Sequence, residues 1–386
     1  MLISSDSRVA MLIMTGSGEG SEVERMVNQA RQAITLDTID KALTVEAIDR
    51  IIVSTNSRSL AEELRDKAVY VELDAPGEEF HFGHQLLALI DKYEIEKLFY
   101  MGGGSGPLLS AEEMDHIAES LLSTDRLLIA NNFYSTDFAA FTPASILEDA
   151  DPPAFDNDLG WLLGETLGLP IRELPRTAAT QLDVDTPIDL MTLKLHPAAG
   201  RHVRQYLERL DLDISHLEEA IKFFTDREAM IVVAGRVSAA TWTYLESETA
   251  CQVRLFAEER GMRASGRQSR GEVRSLLGFH LDEVGDERFF ATLSTLGQAA
   301  FIDSRIIFAH KGLWPPAADR FYSDLRQPEK IADPFVKHFT EAAIQAPIPV
   351  VLGGHSLVAG GLYALIEAAW TRGKDLPRHI VPHPRI

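Results

Sequence analysis

The segment QLDVDTPIDLMTL, residues 181–193, holds the residue types best suited to chemistry. Asp183 and Asp185 bracket a single valine. In extended chain, residues two apart point the same way, so both carboxylates can face one divalent cation. Thr186 suits the cap of a following helix, and Pro187 suits its first turn, where a missing N–H does no harm. The plainer alternative is that the two acids only solvate and cap that helix start.

Two glycine-rich stretches raise a related question. TGSGEGSE places Gly16, Ser17, Gly18 and Gly20 after the apolar run RVAMLIM, and FYMGGGSGPLLS places Gly102, Gly103, Gly104 and Ser105 after KLFYM. Residues without a β-carbon let another molecule approach the backbone, whose N–H groups can then hold phosphate. The first stretch is no dinucleotide fingerprint. Position 21 is serine rather than a third glycine, and the next strand ends in Ser54, Thr55 and Asn56 with no acid. No G-K-[ST] follows it, which excludes a Walker loop.

These stretches must be positioned by regular elements. Apolar runs at RVAMLIM, IDRIIVSTN, VYVELDA, KLFYM and RLLIANNFY alternate with helical patterns, which predicts a helix-covered, mostly parallel sheet. SAEEMDHIAESLL carries a capping pattern, with Ser110 followed three residues on by Glu113. Ligands of such sheets bind at the strands' carboxyl ends, where both glycine stretches, STNS and ANNFYS all fall. HPAAG near residue 195 reads as a boundary, giving a domain of 1–198 and a second α/β domain of 199–386 that opens with a helical bridge. No fixed-period repeat is evident.

Bulk composition narrows the partners. A formal charge of −21 argues against a broad nucleic-acid surface. The single cysteine, Cys251, excludes an internal disulfide framework and fits a reducing cytoplasm. The N-terminal apolar run is too short for a secretory signal. Residues 347–370 have the length of a membrane span, but Gly353, Gly354, His355, Gly360, Gly361 and Glu367 interrupt them. They are expected to form a strand, a glycine turn and a helix, available for contact in a homo-oligomer.

The order of a first-strand glycine loop, a second strand like IDRIIVSTN, a strand ending in G-x-x-PLLS, and then D-x-D-T-P-x-D-L resembles the nucleotidyltransferase (GT-A-like) superfamily over about residues 8–195. It is most similar to molybdenum-cofactor nucleotidyltransferases and phospholactate guanylyltransferases. The resemblance implies a nucleoside triphosphate and a small phosphorylated acceptor as substrates, Mg²⁺ or Mn²⁺, and release of pyrophosphate. It implies that Gly16, Ser17, Gly18 and Gly20 cradle the nucleotide and that Gly102 to Ser105 lie beside it. Asp183 and Asp185 would hold metal, with Arg25 and Asp185 in catalytic roles. The sequence departs from the pattern in two places: no Lys-Pro follows the first loop, and Gly102–Pro107 contains no metal-binding aspartate. Asp156 or Asp158 of FDNDLGW could supply that carboxylate. A nucleotide- or phosphometabolite-binding protein with a degenerate site is the alternative, and a nucleotide-sugar glycosyltransferase shares the fold.

The second half carries separate signals. GRVS places Arg236 and Ser238 after a strand, at the next helix start, where an anion could bind. Arg267, Arg270 and Arg274 fall at helical spacing and are expected to form a basic stripe. FIDSRIIFAHKG reads as a strand leading to His310 and Lys311, and GGHS offers His355 between strand and helix. Arg236, Arg270, His310 and His355 are therefore candidates for a second site. Neither H-E-x-x-H nor G-x-S-x-G occurs, so zinc and an esterase-type nucleophile are unsupported.

Overall fold

The computed structural model describes residues 8–16, 18, 20–74 and 80–372. Internal contacts divide the chain into two compact units. The first comprises Met1–Glu19, Asn28–Val184 and Gly200–Tyr206, and the second Gly20–Val27, Asp185–Ala199 and Leu207–Ile386.

The first unit is a seven-stranded sheet of β1 (Val9–Thr15), β2 (Ile48–Thr55), β3 (Tyr70–Leu73), β4 (Lys97–Gly102), β5 (Leu127–Ala130), β6 (Phe138–Thr142) and β7 (Ile171–Glu173), in the order β3-β2-β1-β4-β6-β5-β7. All seven residues of β1 are buried, as expected of a central parallel strand covered on both faces. β1 pairs in parallel with β2 and β4, whereas β6 runs antiparallel to both β4 and β5. Apolar clusters lie on each face. Met11, Ile13, Phe99 and Met101 belong to one, and Leu12, Tyr100, Leu128 and Phe141 to the other, following the two-residue alternation of strands. The expected capping box forms at the helix Ala111–Leu122, where Glu113 N donates to Ser110 Oγ at 3.1 Å and Ser110 N to Glu113 Oε2 at 2.8 Å. Residues 200–206 join this unit because Asp37 accepts the backbone N–H groups of His202 and Val203.

The second unit holds a wholly parallel sheet of β8 (Met230–Gly235), β9 (Gln252–Ala257), β10 (Ala299–Asp303) and β11 (Val350–Gly353), in the order β11-β10-β8-β9. The helix Pro187–Leu195 belongs to it and opens as expected, with Thr186 as cap and Asp189 completing a capping box. The fold class is thus α/β with a large, mostly parallel sheet and a smaller parallel one. Residues 350–353 form a strand and 362–372 a helix, as the pattern of 347–370 predicts. No described helix is long and apolar enough to cross a membrane.

Two expectations fail here. FIDSRIIFAH is a strand only through Asp303, because Asp303 Oδ1 accepts Arg305 N at 3.2 Å and starts the helix Ser304–His310. That helix is buried on nearly every side, so its apolar run carries no helical period. The basic stripe is also absent. Arg267 and Arg270 sit in turns around Gly266 and Gly271, whose φ values of +68° and +66° break a helix.

Candidate functional site

At the carboxyl end of β1 the chain turns at Gly16 and Gly18; Ser17 lies outside the described residues. A β-carbon added at Gly16 or Gly18 would meet nothing within 4 Å, so the backbone here faces open space. Asn28 Nδ2 donates to Gly18 O at 3.4 Å. Gly20 and Arg25 group with the second unit. There Arg25 is exposed and donates to Gly20 O at 2.6 Å, and a β-carbon on Gly20 would stand 2.9 Å from Glu24 Cβ.

The neighbouring β4 end differs. Gly103 N donates to Met14 O at 3.0 Å, and a β-carbon on Gly103 would stand 2.2 Å from Thr15 Oγ1. One on Gly104 would stand 2.8 Å from Val184 O, 3.0 Å from Arg31 Nε and 3.3 Å from Asp183 Oδ1. Arg31 Nε donates to Val184 O at 2.7 Å, Val184 N to Gly104 O at 3.1 Å, and Ser105 bridges to Asp183. These glycines therefore admit the 182–184 segment across the strand end and set the Asp183 carboxylate beside it.

Two further carboxylates gather at this edge. Tyr100 OH donates to Asp156 Oδ2 at 3.0 Å, and the same oxygen lies 3.7 Å from a β-carbon position on Gly102. Gly102 N donates to Asp137 O at 3.2 Å. Asn131 fixes the Asp137 loop by donating to Asp137 Oδ2 at 2.8 Å and accepting Asp137 N at 3.0 Å. Burial, followed by the charges of Asp156, Asp137 and Asp183, holds the Tyr100 hydroxyl protonated far above its ordinary range. Asp158 is exposed on the short turn Asp156–Asp158. Among the described residues no group of three or more His, Cys, Asp or Glu side chains is arranged to hold a metal ion. Asp156 and Asp183 nevertheless present hard oxygens at one loop, the donor type that Mg²⁺ takes with one or two carboxylates plus substrate phosphates.

Asp185 lies in the second unit, with the helix Pro187–Leu195. Asp185 N, Thr186 N and Thr186 Oγ1 donate to Asp189 Oδ2 at 3.1, 2.8 and 2.9 Å, and Ser356 Oγ adds a fourth bond at 3.0 Å. Burial and then the charge of Asp185 push the Asp189 carboxyl up to about 7. Arg236, just past β8, pairs twice with Asp303: Nε to Oδ2 at 2.5 Å and Nη2 to Oδ1 at 3.0 Å. Burial raises the Asp303 carboxyl, but Arg236 more than offsets this and holds it below its usual range. Arg305 pairs with the buried Asp324 at 2.6 and 2.5 Å. His355, half-buried, makes no hydrogen bond among the described residues; burial first, then Arg236, lowers it to about 4.

The other two second-site candidates are engaged elsewhere. Arg270 is bidentate to Glu272 at 2.9 Å for each bond. His310 Nδ1 accepts Ser275 N at 3.1 Å and Nε2 meets Asp282 at 3.2 Å, at a helix end rather than a strand end.

Asp137, Tyr100 and Asp189 escaped the sequence reading. Asp189 was findable, since Thr186 with an acid three residues on is a capping box. Tyr100 and Asp137 carry no local signal, because tertiary pairing alone brings them together.

No protein-family model matches the chain, and no curated protein matches it in sequence. It is similar to the solved structure of a cytidylyltransferase from Leptospira borgpetersenii: 17% identity, TM-score 0.39, 52% of this chain and 92% of that one. It is likewise similar to a nucleotidyl transferase from Methanothermobacter thermautotrophicus, at 16% identity, TM-score 0.35, 48% of this chain and 90% of that one. A third is CMP:2-keto-3-deoxy-manno-octonic acid synthetase complexed with CTP, at 11% identity, TM-score 0.36, 49% of this chain and 97% of that one.

Proposed function

We propose that the first unit is a nucleotidyltransferase that moves a nucleoside monophosphate from a triphosphate to a small acceptor. One observation carries the reading. Asp156 and Asp183 converge on the β4-end loop, next to the open turn at Gly16 and Gly18 on the adjoining strand β1. The open turn offers backbone to a triphosphate, and the acids offer oxygen ligands to its cation. Mg²⁺, when bound, would neutralise phosphate charge. The chain's own part is to hold the triphosphate at the turn and orient the acceptor. The acceptor oxygen then forms a bond to the α-phosphorus as the α–β bridging bond breaks and pyrophosphate leaves. The D-x-D-T-P segment supports the same reading, with Asp185 as its other carboxylate. A phosphorylated acceptor, of the kinds used by molybdenum-cofactor or phospholactate enzymes, is the first class to try.

The test is pyrophosphate release from each of four NTPs with Mg²⁺ and a pool of phosphorylated small molecules. Release with one NTP is expected, falling at least about 100-fold in Asp183→Asn. Asp185→Asn run in parallel decides whether that carboxylate has the same role. Measurable NTP binding with no release from any pool would instead support a binding protein without transfer.

A further inference from the structure

We propose that Tyr134 and Trp161 form an aromatic platform that binds a methylated ammonium group, and that this group belongs to the acceptor. The role as acceptor rests on the transferase reading. The platform itself does not, and every residue it uses lies in the first unit.

Single exposed aromatic side chains are ordinary on a protein surface, whereas a braced pair marks a place where something binds. Tyr134 is 75% exposed and Trp161 50% exposed, with ring centroids 6.0 Å apart and planes 33° from parallel. Both rest on the buried Phe133, at centroid distances of 5.0 and 5.6 Å. One buried ring therefore holds two wet ones side by side.

Their place is set by the sheet. β4 and β5 both run antiparallel to β6, so the loop 131–137 leaves β5 on the same edge as the end of β4. Trp161 closes the short helix Leu159–Trp161, directly after the turn Asp156–Asp158. The two segments are locked together. Gly160 N donates to Thr136 Oγ1 at 3.0 Å, and Thr136 N donates to Asn157 O at 3.2 Å. A β-carbon on Gly160 would stand 2.6 Å from Phe133 O, so glycine lets the helix seat directly on the loop. Tyr134 N donates to Asn132 Oδ1 at 3.2 Å, which fixes the loop from within.

Charge selects the ligand. Residues 131–137 and 155–166 carry Asp137, Asp156, Asp158 and Glu165, with no Lys or Arg. Asp158 is exposed and precedes Trp161 by three residues, which puts the two on one face of the turn. Aromatic rings are negative over their faces, and neighbouring acids add to that potential. A neutral planar ring would stack but gain nothing from the acids, and an anion would be repelled. A methylated ammonium gains from both, because its methyl groups shed water onto the rings while its charge faces the carboxylates. Asp137 and Asp156 also reach the β4 end, through Gly102 N and Tyr100 OH. The bound amine is therefore assigned to the acceptor rather than to an unrelated ligand.

The experiment is a titration of the whole protein with tetramethylammonium chloride, and separately with its neutral near-isostere tert-butanol, at constant ionic strength. It follows the ¹H–¹⁵N indole signal of Trp161, assigned among the four tryptophans by its loss in Trp161→Phe. A saturable shift is expected with the ammonium, at least about tenfold weaker with tert-butanol and in Tyr134→Leu. Asp158→Asn should weaken it by about two- to threefold. Tyr134 and Asp158 are exposed, so neither change endangers the fold. An unmoved Trp161 signal, or equal affinity for the two probes, overturns the proposal. So does a platform covered by a second copy of the chain, seen as concentration-dependent sedimentation that Tyr134→Leu removes. The probes carry no phosphate and need no nucleotide, so this result is separate from transfer. Pyrophosphate release with an amine-free acceptor, and no ammonium shift, would sink the platform and leave the transferase standing. An ammonium shift with no release from any pool would do the reverse.

Discussion

The two sheets each end in a polar edge, and the edges are built from opposite materials. At the end of β4 the side chains are mostly acids, Asp137, Asp156 and Asp183, grouped around a protonated Tyr100. Around the ends of β8 and β10 two buried acids are each paired with an arginine, Asp303 with Arg236 and Asp324 with Arg305, whereas the buried Asp189, bonded to Ser356 in the turn after β11, has no arginine and is pushed up to about 7. The first edge gathers negative charge that a cation can offset. The second pairs Asp303 and Asp324 with arginines inside the fold. The same strand-end position thus gathers acids in one sheet and acid–arginine pairs in the other.

The largest expected effect breaks the second edge. Asp324→Ala leaves the buried Arg305 guanidinium uncompensated and should cost about 3–5 kcal/mol in urea unfolding. A loss below about 1 kcal/mol would mean that the pair is dispensable.

The next prediction concerns acid. Asp189, raised to about 7, holds a proton in the native state that the unfolded chain releases above its ordinary pKa near 4, so its contribution falls as pH rises from 4 to 7. His355 and the buried His216, both lowered to about 4, act in reverse. The unfolded chain takes up their protons below about 6.5, so their stability is lost as pH falls from 6.5 to 4. The terms oppose one another in the natural chain. Asp189→Asn should remove the opposing term and expose a decline on the order of 3 kcal/mol from each histidine between pH 6.5 and 4. A profile parallel to that of the natural chain would contradict the assigned environments.

A smaller effect separates the two glycine turns of the first unit. Gly104→Ala drives a β-carbon to 2.8 Å from Val184 O, a backbone atom, and should cost about 1–3 kcal/mol. Gly16→Ala meets nothing within 4 Å and should change stability by less than about 0.5 kcal/mol while weakening NTP binding. Calorimetry and thermal unfolding on the pair of variants check both halves.

How much of this was legible in the sequence follows from range. Buried runs such as β1, and caps such as Ser110–Glu113, are written within a few residues and were readable. β6 was not: FAAFT is five residues with two alanines, and its antiparallel direction is decided by pairing with β4 and β5. The helix 304–310 read as strand because burial removed its period. In the acidic site, Asp183 announced itself by spacing. Asp156 was one of two acids offered in place of the missing loop aspartate, and Asp137 joins them only because residues 100, 137, 156 and 183 meet in space. The glycines of 102–104 were read as places where a ligand approaches the backbone; at all three the closest atoms belong to the protein itself, Ser105 Oγ, Thr15 Oγ1 and Val184 O.

The claim on which the rest stands is that Asp156 and Asp183 hold a divalent cation together with a triphosphate. Mn²⁺ binding, read by electron paramagnetic resonance in the presence of an α,β-methylene NTP analogue, tests it directly. The natural chain should bind Mn²⁺ saturably, and Asp156→Asn and Asp183→Asn should each weaken it at least about tenfold, with Glu272→Gln unchanged. Equal Mn²⁺ affinity in both acidic-site variants would contradict the account.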